Sequence, residues 1–139
     1  MNKLWLILLV GFLFVGCDKV KKTQKTLTGV WTVIQYKKTL VTGLAYFYDS
    51  EGTLSFGSCD GELCDYSLKI NYQDQGTTLQ KHESGTIALQ DDEYFFLHRN
   101  NPDGTVTLLD EGRIILMTKD DLKIEFHDEV GIHEFVFQK

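Results

Sequence analysis

From Thr28 to Gln138 the chain is divided into short runs of alternating apolar and polar residues, separated at close intervals by Gly, Asp, Asn and Ser. Side chains of a β-strand point alternately to its two faces, so this spelling suits strands with one dry and one wet face. Tyr66 to Tyr72 shows it most plainly: Tyr66, Leu68, Ile70 and Tyr72 share one face, Ser67, Lys69 and Asn71 the other. Thr28 to Lys38 reads as the first long strand. Leu44 to Asp49 and Thr53 to Ser58 flank Ser50-Glu51-Gly52, whose glycine predicts a hairpin. Thr77 to Glu83, Thr86 to Gln90, Glu93 to Arg99, Thr105 to Asp110, Arg113 to Thr118, Leu122 to His127 and Ile132 to Gln138 follow. Ser84-Gly85 reads as a break or bulge, Glu111-Gly112 as a further break and Asn100 to Gly104 as the strongest turn. No stretch has a convincing helical period. Short connections predict antiparallel pairing in sequence order, and a long series of hairpins escapes exposed edges by closing on itself. The expected fold is all-β, an antiparallel up-and-down β-barrel of about 8–10 strands.

The first seventeen residues have a different character. Lys3 precedes an apolar run from Leu4 to Val15, and Phe14-Val15-Gly16-Cys17 closes it. A helix needs ~20 apolar residues to span a bilayer core, so this run is too short to be retained as an anchor and suits a secretory signal. The closing residues resemble the lipobox of bacterial lipoprotein signal peptides. That resemblance implies cleavage before Cys17, a lipid on its sulfur and a place in the bacterial cell envelope, facing the periplasm or the exterior. Asp18 resembles the inner-membrane retention signal of enteric bacteria, a rule that does not hold in all bacteria, so inner and outer membrane both stay open. The expected division is therefore a signal peptide over 1–16, a lipidated cysteine and flexible basic tether over 17–26, and one barrel domain over 27–139.

Without the signal, thirteen Lys and Arg stand against twenty Asp and Glu, a formal charge of −7. Lys19, Lys21, Lys22 and Lys25 lie in the tether, so the body from Thr26 onward holds nine basic and nineteen acidic residues, or −10. Such a body is a poor nucleic-acid binder, because phosphate contacts supply most of that affinity. The four lysines read either as a solvated linker or as an attraction for anionic headgroups, and the two readings are compatible.

Leu27-Thr28-Gly29-Val30-Trp31 resembles the Gly-x-Trp opening of the lipocalins and calycins, placed on the first long strand. Tyr46 to Thr53 and Ile114 to Thr118, leading into Leu122 to Phe126, resemble segments of bacterial lipocalin-like lipoproteins. The resemblance implies that Trp31, with Gly29, plugs the closed end of the barrel and that a basic side chain packs across it. Arg113 is assigned that role, with Lys139 the other candidate.

Cys59 and Cys64 bracket Asp60-Gly61-Glu62-Leu63 between two strands, where a hairpin sets them opposite one another. Export permits a disulfide there; a redox pair or a metal clip is the sharper alternative, and no Cys-x-x-Cys is present to support either. His127 and His133 flank a loop with its own carboxylates, but His82-Glu83 and His133-Glu134 both lack the second histidine of His-Glu-x-x-His. Surface histidines on wet faces explain them, and no metal is expected. No nucleophile elbow, phosphate-binding loop or dinucleotide fingerprint occurs, so neither catalytic residues nor a cofactor are expected. The acidic pairs fall in turns.

Two functions follow for such a barrel. In one, the lumen holds a small apolar or amphipathic ligand whose contact residues the sequence does not identify. In the other, aromatic side chains fill the lumen and the acidic exterior meets a basic protein partner of the envelope.

Overall fold

A computed structural model describes residues 19–139; Cys17 and the signal segment lie outside the described residues. A short helix, α1 (19–27), precedes nine strands. They are β1 (Gly29–Leu40), β2 (Ala45–Tyr48), β3 (Ser50–Asp60), β4 (Leu63–Asp74), β5 (Thr77–Leu89), β6 (Tyr94–Asn100), β7 (Val106–Met117), β8 (Asp121–Asp128) and β9 (Gly131–Gln138). All pair antiparallel with their neighbours, and β1 also pairs β9 from Thr32↔Gln138 to Leu40↔Gly131, which closes the barrel.

The barrel has eight staves, because β2 and β3 form one. β2 pairs the upper part of β1 (Tyr36↔Tyr48) and β3 pairs the lower part (Trp31↔Leu54), so both lie on the same side of β1 and run in the same direction. The hairpin expected at Ser50-Glu51-Gly52 is therefore a break inside one strand, at Asp49. The breaks read at Gly85 and Gly112 also lie inside single strands, β5 and β7. These glycines mark close approach rather than reversal. A Cβ on Gly85 would stand 1.8 Å from the His98 carbonyl oxygen, and one on Gly112 would stand 2.2 Å from the Phe95 ring. Three glycine signals absorbed into strands reduce the sequence segments to eight staves.

The region expected to be a flexible tether is helical from residue 19 and packed against the barrel. Val20 packs on the core, and Thr23 and Leu27 are both 2% exposed. Residues spaced three and four apart share one helix face, so one valine, one threonine and one leucine suffice to seat it. Gln24 Nε2 donates to the Gly61 carbonyl at 2.7 Å, and Lys139 Nζ donates to the Thr26 carbonyl at 2.8 Å. α1 thus covers the end of the barrel formed by the β3–β4, β5–β6 and β7–β8 turns and the C-terminus. The opposite end, ringed by the β1–β2, β4–β5, β6–β7 and β8–β9 turns, is its mouth.

Candidate functional site

The lumen is layered from base to mouth. At the base, Trp31 is fully buried and its indole N–H donates to the Leu27 carbonyl at 2.7 Å, which satisfies its polar atom without water. The Lys139 ammonium lies 4.5 Å from the centre of the Trp31 ring, and its side chain passes 3.6 Å from where a Gly29 Cβ would stand. Arg113, to which the sequence assigns this contact, lies on the outer wall instead, 3.5 Å from Glu93 and 5.6 Å from the centre of the Tyr94 ring. The reason is register: Arg113 neighbours the inward-facing Gly112 and Ile114, so its own side chain must point outward. Above Trp31, side chains such as Leu54, Leu68, Ile124, Phe135 and Phe137 pack the middle of the lumen. They leave a cavity of about 20 Å³, room for about one water.

The roof of that cavity is polar. Glu83, its side chain 8% exposed, meets Lys81 Nζ at 3.0 Å and Arg99 Nη1 at 3.9 Å. One carboxylate therefore faces two cations. Lys81 and Arg99 are 21% and 39% exposed, so the cluster opens toward the mouth from a dry floor. Tyr66 is buried beside it, and burial, with the Glu83 charge adding and Arg99 opposing, pushes its phenol up to about 12. Among the described residues three buried side-chain polar atoms have no hydrogen-bond partner: Tyr66 Oη, Arg99 Nε and Ser50 Oγ. Tyr66 and Arg99 share a level through their register with Gly85, and Ser50 lies nearer the mouth, opposite the inward Tyr72. Buried polar groups are paired in the great majority of cases, so the Tyr66 and Arg99 orphans are exceptions beside one carboxylate.

An aromatic wall stands opposite. Tyr36 stacks on Phe135 at 4.5 Å and on Tyr48 at 5.0 Å, with Tyr72 edge-on at 5.3 Å. Phe126 stacks on His133 at 5.0 Å and lies under the Lys81 ammonium at 5.5 Å. His133, 3% exposed, is the one histidine of the sequence reading that faces inward; His82 and His127 are exposed and His98 is half-buried. Asp128 Oδ1 accepts from the Val130 and Gly131 amides at 2.8 and 3.1 Å, and its Oδ2 lies 2.8 Å from His133 Nε2. Burial raises the Asp128 carboxyl, but these amides and His133 outweigh it and hold the carboxyl below its ordinary range. An ionised carboxylate can only accept, so His133 Nε2 carries the proton and Nδ1 accepts from the Tyr36 hydroxyl at 2.8 Å. Burial keeps His133 neutral below its ordinary value of 6.5, against the pull of Asp128, and pushes the Tyr36 phenol well above its usual range. The pair is a fixed brace for the wall rather than a source of a nucleophile.

Cys59 and Cys64 are bonded to each other, opposite in the β3–β4 register. Among the described residues no three His, Cys, Asp or Glu side chains gather closely enough to hold a metal ion. Lys81, Glu83 and Arg99 went unmarked in the sequence, yet a signal is present. Lys81 and Glu83 fall in phase with the buried Ile87 and Leu89, and Arg99 in phase with Phe95 and Leu97. Charged residues in register with an apolar face are the trace of a lumenal site.

No protein-family model matches the chain, and no curated protein matches it in sequence. In structure it is similar to designed barrels. A redesigned beta barrel, mFAP1, bound to DFHBI, superposes with a TM-score of 0.58 at 14% identity, over 84% of this chain and 98% of that one. A de novo designed fluorescence-activating beta barrel gives a TM-score of 0.53 at 14% identity, over 84% of this chain and 96% of that one. At this identity the likeness is one of fold: a closed antiparallel β-barrel of eight strands.

Proposed function

We propose that the protein is a lipocalin-like lipoprotein of the bacterial envelope, anchored to the inner or outer membrane through Cys17, whose barrel takes one small amphipathic ligand at its mouth. The observation that carries the reading is the pair of orphaned polar atoms, Tyr66 Oη and Arg99 Nε, beside a carboxylate with two cations. The filled middle of the lumen excludes deep insertion of a drug-sized molecule, which needs ~300 Å³ or more. The ligand is therefore shallow: an apolar or aromatic body against Tyr36, Tyr48 and Phe126, and an anionic or hydrogen-bonding head on Arg99, Lys81 and Tyr66. The redesigned barrel mFAP1, bound to DFHBI, supports the use of such a fold to hold a guest molecule. Native mass spectrometry of the protein purified from membranes tests this: a 1:1 adduct of a small amphiphile is expected, and an apo mass that no added amphiphile shifts contradicts it.

A second reading, a barrel that serves as an interaction module for an envelope protein, draws support from the apolar rim of the mouth. Val41, Leu44, Phe47 and Val130 are 79%, 59%, 67% and 46% exposed there. Cross-linking in intact cells distinguishes it, since one protein partner captured through the rim is its signature.

A further inference from the structure

The packed α1 bears on how the barrel sits at a membrane. This inference rests on the lipoprotein reading of Cys17. Only Asp18 separates Cys17 from Lys19, so the covalent chain alone keeps their Cα atoms within about 7 Å of each other. From residue 19 onward the chain is fixed to the barrel by Val20, Thr23 and Leu27 and by the Gln24–Gly61 and Lys139–Thr26 hydrogen bonds. A lipid on Cys17 has no leash to swing on, and the barrel end that carries α1 lies next to the bilayer.

That end has a surface that suits it. A bulge in β7 between Ile114 and Leu116 turns two consecutive apolar side chains outward, leaving Ile115 41% and Leu116 50% exposed. They line a groove of about 580 Å³ against α1, rimmed by Lys19, Lys22 and Lys119. An exposed apolar knuckle beside α1, within a rim whose charges are largely paired, fits the boundary between lipid tails and headgroups. The acidic residues on the same rim are neutralised: Asp92 by Lys19 and Glu93 by Arg113, each at 3.5 Å, and Asp120 by Lys119 at 3.5 Å. We propose that the closed end of the barrel, α1 with the Ile115–Leu116 bulge, is a membrane-docking face that rests on phospholipid and directs the ligand mouth away from the bilayer.

The test uses the acylated full-length product, purified from membranes and reconstituted in vesicles of phosphatidylethanolamine and phosphatidylglycerol. Bimane is attached at Leu116→Cys, at Lys119→Cys as a second base site, and at Val41→Cys on the mouth. Expected are iodide quenching at least threefold weaker at the two base sites than at the mouth, and quenching by nitroxide-labelled lipid at the base sites alone. Equal accessibility of base and mouth, with acylation of Cys17 verified by intact mass, overturns the orientation and leaves the anchor standing. Shielding at Leu116→Cys that disappears as protein is diluted in lipid assigns the groove to a second copy of the chain and also overturns it. An unmodified Cys17 removes the anchor itself, and the docking face with it.

Discussion

The Lys139 ammonium sits 4.5 Å over the ring of Trp31 while donating to the Thr26 carbonyl, so Lys139 clasps the first strand of the barrel to the helix beneath it. An exposed cation–π contact and a hydrogen bond to a carbonyl together contribute about 1 kcal/mol. Lys139→Ala should lower the free energy of urea unfolding by about that amount, whereas Arg113→Ala, on the outer wall, should change it by less than ~0.5 kcal/mol. The reverse order would place the clasp at Arg113.

The His133 brace gives the barrel a pH dependence of known sign. Burial depresses the His133 pKa below its ordinary 6.5. As pH falls through 6.5 the unfolded chain takes up a proton that the folded chain refuses, so stability is fully present above that pH and is lost as pH falls toward the folded value. Asp128 faces the ring, Lys38 and Lys81 add repulsion to its protonated form, and Phe126 and Tyr36 stack on its two sides. Thermal unfolding should show a lower Tm at pH 5.5 than at pH 7.5. In His133→Gln, which can still accept from Tyr36 and donate to Asp128, the difference should shrink.

Tyr66 should trade stability for binding. Its hydroxyl is buried beside Glu83 without a partner, and an unsatisfied buried polar group costs ~1–3 kcal/mol. Tyr66→Phe removes the orphan and keeps the ring, so urea denaturation should show a stabilised barrel. The same variant should bind an anionic amphiphile less tightly. A destabilised Tyr66→Phe protein would mean that the hydroxyl is paired within the fold.

The barrel was largely legible in the sequence, because period-two alternation and short turns leave little freedom. β4 is the clearest case: Tyr66, Leu68 and Ile70 are buried on the face their spacing assigns. Stave boundaries were not, since a glycine that ends a strand and a glycine that lets an aromatic ring cross it, as Gly112 does for Phe95, have the same signature. α1 was hidden because its buried face needs only Val20, Thr23 and Leu27 among lysines. The upper lumen was hidden for the opposite reason. Lys81, Glu83 and Arg99 are charged residues at apolar-phase positions, and only the closed register brings them together beneath the mouth.

The lumenal site is tested most directly by titration with 1-anilinonaphthalene-8-sulfonate, an aromatic body with an anionic head. The wild-type barrel should bind one molecule with a blue shift of the dye's emission, and Arg99→Met, which keeps the aliphatic stem and removes the cation, should weaken binding about tenfold, or ~1.4 kcal/mol. Equal affinity of Arg99→Met and wild type, or no saturable binding to either, would contradict a ligand held at the mouth by Arg99.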